Sequence, residues 1–242
     1  QTTGDFRLIK PSLGSWVLYG LGTENQNLPG FVAMNPGGFP GQSVKNWQSA
    51  FMPGAFQGTF VDPNKEDIED VIENIKNGFT SRSDQRQQLD LLNTLNEIHK
   101  QQRQGEAKLE ARIQSFELAF KMQIEATTAF DVKLESEATK ERYGINHPDP
   151  GVRAQARQFI IARRLLERGV RMVQVWNGGW DTHTNARGGV ARNAMRIDKP
   201  IAAFLDDLKE RGLFDDTLVV SSTEFGRSTR EDGPGGRAHN AR

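Results

Sequence analysis

The order of elements between residues 150 and 221 constrains this chain more than any other feature. Asp149-Pro150 supplies an N-cap and a first-turn proline for a helix predicted to run to Glu167 and to be terminated by Gly169. A strand over residues 170–175 follows at once. Ile197, Ile201, Phe204, Leu205 and Leu208 then carry a helical stripe that stops near Gly212. Next, Thr217-Leu-Val-Val-Ser221 reads as a short strand, apolar enough to be buried on both faces. Helix, strand, helix and strand in that order imply a right-handed crossover between parallel strands. The expected fold class is α/β, with a mainly parallel sheet flanked by helices.

Open sheets of this kind bind ligands beyond the carboxyl ends of their strands, and the residues able to do chemistry fall there. The run Val170-Arg-Met-Val-Gln-Val-Trp-Asn-Gly-Gly-Trp-Asp-Thr-His183 is a strand ending in a glycine turn that presents Asp181 and His183. Residues i and i+2 of an extended segment point the same way, so this carboxylate and imidazole can converge on one cation. Glu224, in Ser222-Thr-Glu-Phe-Gly-Arg227, follows the second strand at the same edge, and His239 brings a second imidazole. Two carboxylates and two imidazoles form a sensible donor set for zinc, manganese or a similar divalent ion. Spacing alone leaves other roles open: Asp181 capping a turn, Glu224 pairing with Arg227, His239 solvated in a loop.

Arg227 and Arg237 are candidates for holding an anionic substrate, because a guanidinium offers paired donors to phosphate or sulfate oxygens. Both also read as ordinary surface or carboxylate-paired arginines. Ser221, Ser222 and Thr223 lie nearby, but hydroxyls at strand ends usually serve structure, and no nucleophile is assigned. His99 reads as solvated on a polar helix and His147 as shaping a proline-rich loop. Trp176 and Trp180 either wall a pocket or pack in the core.

Upstream, the chain to about Thr80 is rich in glycine and proline. Its apolar runs at 15–21, 31–34 and 55–61 predict short strands or ordered loops. From 83 to 129 the composition shifts to good helix formers. Leu89, Leu92, Leu95 and Ile98 form one stripe; Leu109, Ile113, Phe116, Phe120 and Ile124 form another. Two helices broken near Gly105 fit this pattern, packing on a core rather than extending as a coiled coil. Residues 135–142 predict a short helix stopped at Gly144, so a helical insertion spans about 83–142.

A chain of 242 residues can bury a substantial core. Its 31 basic and 31 acidic residues cancel, which gives no long-range pull toward a phosphate backbone and argues against a nucleic-acid partner. With no cysteine, thiolate ligands, disulfides and a cysteine nucleophile are excluded. No apolar run approaches the roughly 20 residues that span a bilayer. The start at Gln1 and the stop at Asn240-Ala-Arg242, straight after a glycine-rich stretch, read as the ends of a fragment.

Six segments carry a family resemblance: Gly14-Ser-Trp-Val-Leu-Tyr-Gly-Leu-Gly22, Leu28-Pro-Gly-Phe-Val32, Ala162-Arg-Arg-Leu-Leu-Glu-Arg-Gly-Val170, Gly179-Trp-Asp-Thr-His183, Thr223-Glu-Phe-Gly-Arg227 and Gly236-Arg-Ala-His-Asn240. In this order, across nearly the whole chain, they resemble the bacterial domain-of-unknown-function 1501 proteins, which are sulfatase-like members of the alkaline phosphatase superfamily. The resemblance implies an incomplete doubly wound α/β domain with a metal centre at the carboxyl edge, used to hydrolyse phosphate or sulfate esters. Asp181 and His183 resemble ligands of one metal, Glu224 stands where an Asp-His pair is common, and His239 resembles a late histidine ligand. A small anionic ester is the implied substrate, zinc or another transition metal the implied cofactor, and export to the periplasm the implied location. Two departures stand out. Ala238 occupies the acidic position of a Gly-Arg-Asp-His-Asn pattern, and the first strand that carries the superfamily's nucleophile and an early aspartate is not evident. These favour an alternative, a non-catalytic envelope-associated binding protein that keeps the fold.

Overall fold

A computed structural model describes residues 8–41, 43–65, 71, 78–102, 107–223 and 226–240. In chain order the principal elements are α1 (Leu13–Leu21), β1 (Phe31–Met34), β2 (Thr59–Val61), α2 (Arg82–Gln102), α3 (Ala107–Ala129), α4 (Glu137–Tyr143), α5 (Pro150–Leu166), β3 (Met172–Val175), α6 (Ala186–Glu210), β4 (Gly226–Arg227) and β5 (His239–Asn240). β1, β2 and β3 form a parallel sheet in the order β2-β1-β3, while β4 and β5 pair antiparallel beside it. The protein is α/β, as expected, but the parallel partner of β3 is β1 rather than a strand at 217–221, so the predicted crossover does not build this sheet.

β1 fixes the layering. Its four residues are all fully buried, and successive side chains of a strand point to opposite faces. Val32 and Met34 join the main core with Ile160, Ile161 and Leu165 of α5, Phe204 and Leu208 of α6, and Met122 and Ala126 of α3. Phe31 and Ala33 face the other way, onto Leu18 of α1 and Trp47. Helical or looped structure thus covers both faces of the central strand, which explains its unbroken apolar sequence.

The helix boundaries follow their caps. Asp149 Oδ1 accepts the Gly151 amide at 2.6 Å to start α5, and Gly144 closes α4 with its own N–H bonded to the Lys140 and Glu141 carbonyls. α2 and α3 flank residues 103–106, close to the break predicted at Gly105.

Two expectations are corrected. The run at 15–21 is part of helix α1 rather than a strand or loop. Ser12 Oγ caps it, and Gly14 inside it is a packing device: a Cβ there would stand 2.4 Å from the Phe31 ring. At the other end of the chain, Thr217-Leu-Val-Val-Ser221 is not a strand. Leu218 is 89% exposed and Val220 71%. A β-prone run becomes a strand only where a neighbour accepts its backbone, and here the sheet ends at β3.

Where α4, α5 and α6 meet, the core contains charge. Arg163, 2% exposed, lies 2.7 Å from Glu135, 3.0 Å from Glu167 and 3.3 Å from Asp207. Asp207 also meets Arg142 and accepts the Tyr143 hydroxyl at 2.9 Å. Burial pushes the Tyr143 phenol up to about 12, so it remains a donor.

Candidate metal centre

β3 ends at Val175, and the chain then leaves the sheet through a glycine turn that reaches Asp181 and His183. These two residues are held from the far side by the loop before β5. Asn185 and Ala186 donate to the carbonyls of Pro234 and Gly235 at 2.9 and 2.8 Å, and the Arg237 amide donates to Thr182 at 3.1 Å. Contact is close enough to require glycine at 236, where a Cβ would fall 1.8 Å from the His183 carbonyl oxygen. The β4–β5 pair completes the frame by setting Arg227 opposite His239.

The result is a triangle of donor atoms. Asp181 Oδ1 lies 2.9 Å from His183 Nε2 and 2.8 Å from His239 Nε2, and the two imidazole nitrogens are 3.1 Å apart. All three side chains are exposed, at 63%, 42% and 48%. Arg227 Nη2 donates to the same Asp181 oxygen at 2.7 Å. The His239 and Arg227 contacts hold the Asp181 carboxyl down at about 2, so it is ionised at neutral pH.

Asp232 adds what the sequence did not reveal. Its Oδ2 stands 2.5 Å from His183 Nδ1, and this contact, with the Asp181 charge behind it, raises the His183 pKa. With the His183 proton drawn to Nδ1, its Nε2 presents a lone pair toward the carboxylate and the second imidazole. One carboxylate oxygen and two imidazole nitrogens thus crowd one point, an arrangement held by shared protons or, with both rings neutral and turned to accept, by a cation. The donor set suits a divalent ion. Metal–ligand distances of about 2.0–2.1 Å in a tetrahedron require donor separations of about 3.3 Å, only slightly wider than those present. The sole sequence cue to Asp232 is its place in Asp232-Gly-Pro-Gly235, which reads as a turn.

Of the predicted ligands, Asp181, His183 and His239 come together; Glu224 lies outside the described residues. Arg227 joins the cluster. Arg237 contributes its backbone, while its guanidinium donates to the Gly236 carbonyl at 2.8 Å and lies 3.9 Å from Glu231. Trp180 exposes its ring and donates to Asn177 Oδ1 at 2.5 Å.

Fold and site together define an α/β protein with an exposed His–His–Asp cluster at the carboxyl end of a parallel-sheet strand. The chain belongs to the family described as protein of unknown function (DUF1501), whose family model matches residues 1–242. No curated protein and no solved structure matches it. Among the described residues, no helix is long and apolar enough to cross a membrane.

Proposed function

We propose that this protein is a metal-dependent hydrolase of phosphate or sulfate esters, built on an alkaline-phosphatase-like doubly wound sheet, with Asp181, His183 and His239 as metal ligands. One observation carries the reading: a carboxylate oxygen and two imidazole nitrogens, from the loop after β3 and from β5, lie within 3.1 Å of one another, and a second carboxylate orients one ring. A divalent ion held there supplies Lewis acidity toward an ester oxygen. The protein's own groups do the rest. Asp232 fixes the His183 ring so that Nε2 faces inward. Arg227, which offers donors at the cluster, orients a further oxygen of the anion and offsets its charge.

Elemental analysis after dialysis against metal-free buffer tests the site, comparing the parent with Asp181→Ala and His183→Ala. About one divalent ion per chain in the parent and none in either variant is the expected result. A folded parent that takes up no zinc, manganese or cobalt overturns it. Given bound metal, release of phosphate or sulfate from a panel of aryl and sugar esters is expected. Ala238 favours a second reading, a binding protein that has lost the chemistry, because a methyl stands beside His239 where an acidic residue would support it. Metal uptake without turnover of any ester selects that reading.

A further inference from the structure

The loop that carries Asp181 and His183 is also held by buried amides of α5 and α6. Gln158, fully buried on α5, donates through Nε2 to the Trp176 carbonyl at 3.0 Å, where the chain leaves β3. Asn193, 5% exposed on α6, donates through Nδ2 to the Gly179 carbonyl. One helical turn before Asn193, Gly189 lets α6 close on Thr182, because a Cβ there would fall 2.6 Å from Thr182 Cγ2. Positions 189 and 193 lie on one face of the helix, so a single stripe of α6 meets the loop at Gly179 and at Thr182. Asp181 stands between those two contacts and His183 directly after them.

Gly178 and Gly179 give this turn more backbone freedom than any other pair would. At Gly179 that freedom is used, since its φ is +89°. A ligand carried on so free a turn must be ordered when the ion binds, unless the turn is already fixed. An amide buried as deeply as that of Asn193 is costly without a partner, and its partner is the carbonyl of this same glycine. The approach is close, for a Cβ on Gly179 would stand 2.9 Å from Asn193 Nδ2. We infer that Asn193 is a positioning residue. By holding the Gly179 carbonyl it sets the Asp181 carboxylate, two residues on, where the ring nitrogens of His183 and His239 meet it, while Gln158 holds the start of the same loop. This role rests on the metal site proposed above and concerns what prepares that site before an ion arrives.

Asn193→Asp keeps the shape of the side chain and sets an acceptor against the Gly179 carbonyl in place of the donor. Cobalt(II) titration against a competing chelator, followed by visible absorption on protein shown to be folded by circular dichroism, reads both affinity and ligand geometry. The parent is expected to bind about one ion per chain. Asn193→Asp is expected to bind at least about tenfold more weakly, as loss of a residue that orients a ligand does, and to change the cobalt spectrum. Hydrogen exchange over 176–183 in the metal-free protein is expected to quicken. If Asn193→Asp does not fold, Asn193→Ala, which removes the donor and adds no charge, carries the same expectations. Asp207→Ala is the control for a weakened fold: it cuts the buried charge network about 20 Å further along α6 and is expected to keep the parent's affinity and spectrum. A parent that takes up no cobalt overturns the metal site and this role with it. A parent that binds cobalt while a folded Asn193 variant matches it in affinity, spectrum and exchange overturns the positioning role alone. A loss in Asp207→Ala as large as that in the Asn193 variant also overturns it, because general weakening of the fold would then set the affinity.

Discussion

Two clusters of charge in this molecule both pair arginine with aspartate, one adding glutamates and the other histidines, and they arrive at opposite states. Between α4, α5 and α6, Arg163 and Asp207 are almost completely buried, and each charge is met by several of the other sign. Beyond the end of β3, Asp181 and His183 meet His239 of β5, and all three direct an oxygen or ring nitrogen to a common, solvent-open point. In the first cluster every charge has found its partner within the chain, and removing one leaves others stranded out of water. In the second, exposed groups from separate elements converge on one point, which is the ground for the metal site proposed there. Burial with pairing marks a structural cluster, whereas convergence with exposure is what makes the second cluster a candidate for chemistry.

The sharpest way to break this contrast is to cut one charge from the buried cluster. Asp207→Ala leaves Arg142 and Arg163 short of a counter-charge and Tyr143 without its acceptor. It is expected to cost about 3–5 kcal/mol in urea unfolding. A loss under about 1 kcal/mol would mean that water or the remaining carboxylates replace it, and the two clusters would then differ only in depth.

The mirror experiment is His239→Ala. Because His239 is exposed and its ring contact is with His183, its removal is expected to leave stability within about 0.5 kcal/mol, while affinity for zinc falls by more than about a hundredfold, beyond the loss typical of an outer-shell residue. A large drop in Tm from this substitution would make the histidine cluster a structural clasp between the loops. Asp232→Asn is a gentler cut. The amide keeps the shape but not the charge that orients His183, and metal affinity is expected to fall by about 10–100-fold. Zinc titration against a competing chelator measures both.

How much of this was legible in the sequence follows from what each inference needed. The helix at 150–166 announces itself through Asp149-Pro150, and β3 through its position just after Gly169, because caps and breakers are local. Asp181 and His183 were readable because their spacing puts them on one side of an extended segment. His239 joins them through a glycine turn and backbone bonds from Asn185, Ala186 and Arg237, which no spacing rule encodes. Asp232 was hidden for a similar reason: an aspartate before Gly-Pro-Gly looks like turn chemistry. The error at 217–221 runs the other way. Apolar, β-branched sequence states a preference, but a strand needs a neighbour, and pairing is a property of the whole sheet.

The smallest expected effect lies between the two extremes, in the clasp that ties α2 to α3. Arg86 grips Glu117 with both amino groups, at 2.8 and 2.7 Å, and Asn93 adds a third donor at 2.8 Å. The Arg86 contact, helped by Asn93, holds the Glu117 carboxyl down at about 2, against an ordinary value of 4.5. A folded value below the unfolded one means that the clasp contributes fully above about pH 4.5 and is lost as the pH falls through about 2. Both side chains are partly exposed, so the contribution is expected not to exceed about 1 kcal/mol. Hydrogen exchange across 107–129 is expected to quicken over that window in the parent and to be less pH-sensitive in Glu117→Gln. If instead the parent and the variant respond alike, the clasp contributes nothing on its own, and pairing at the surface would have to be set apart from pairing in the core even where the geometry is as good.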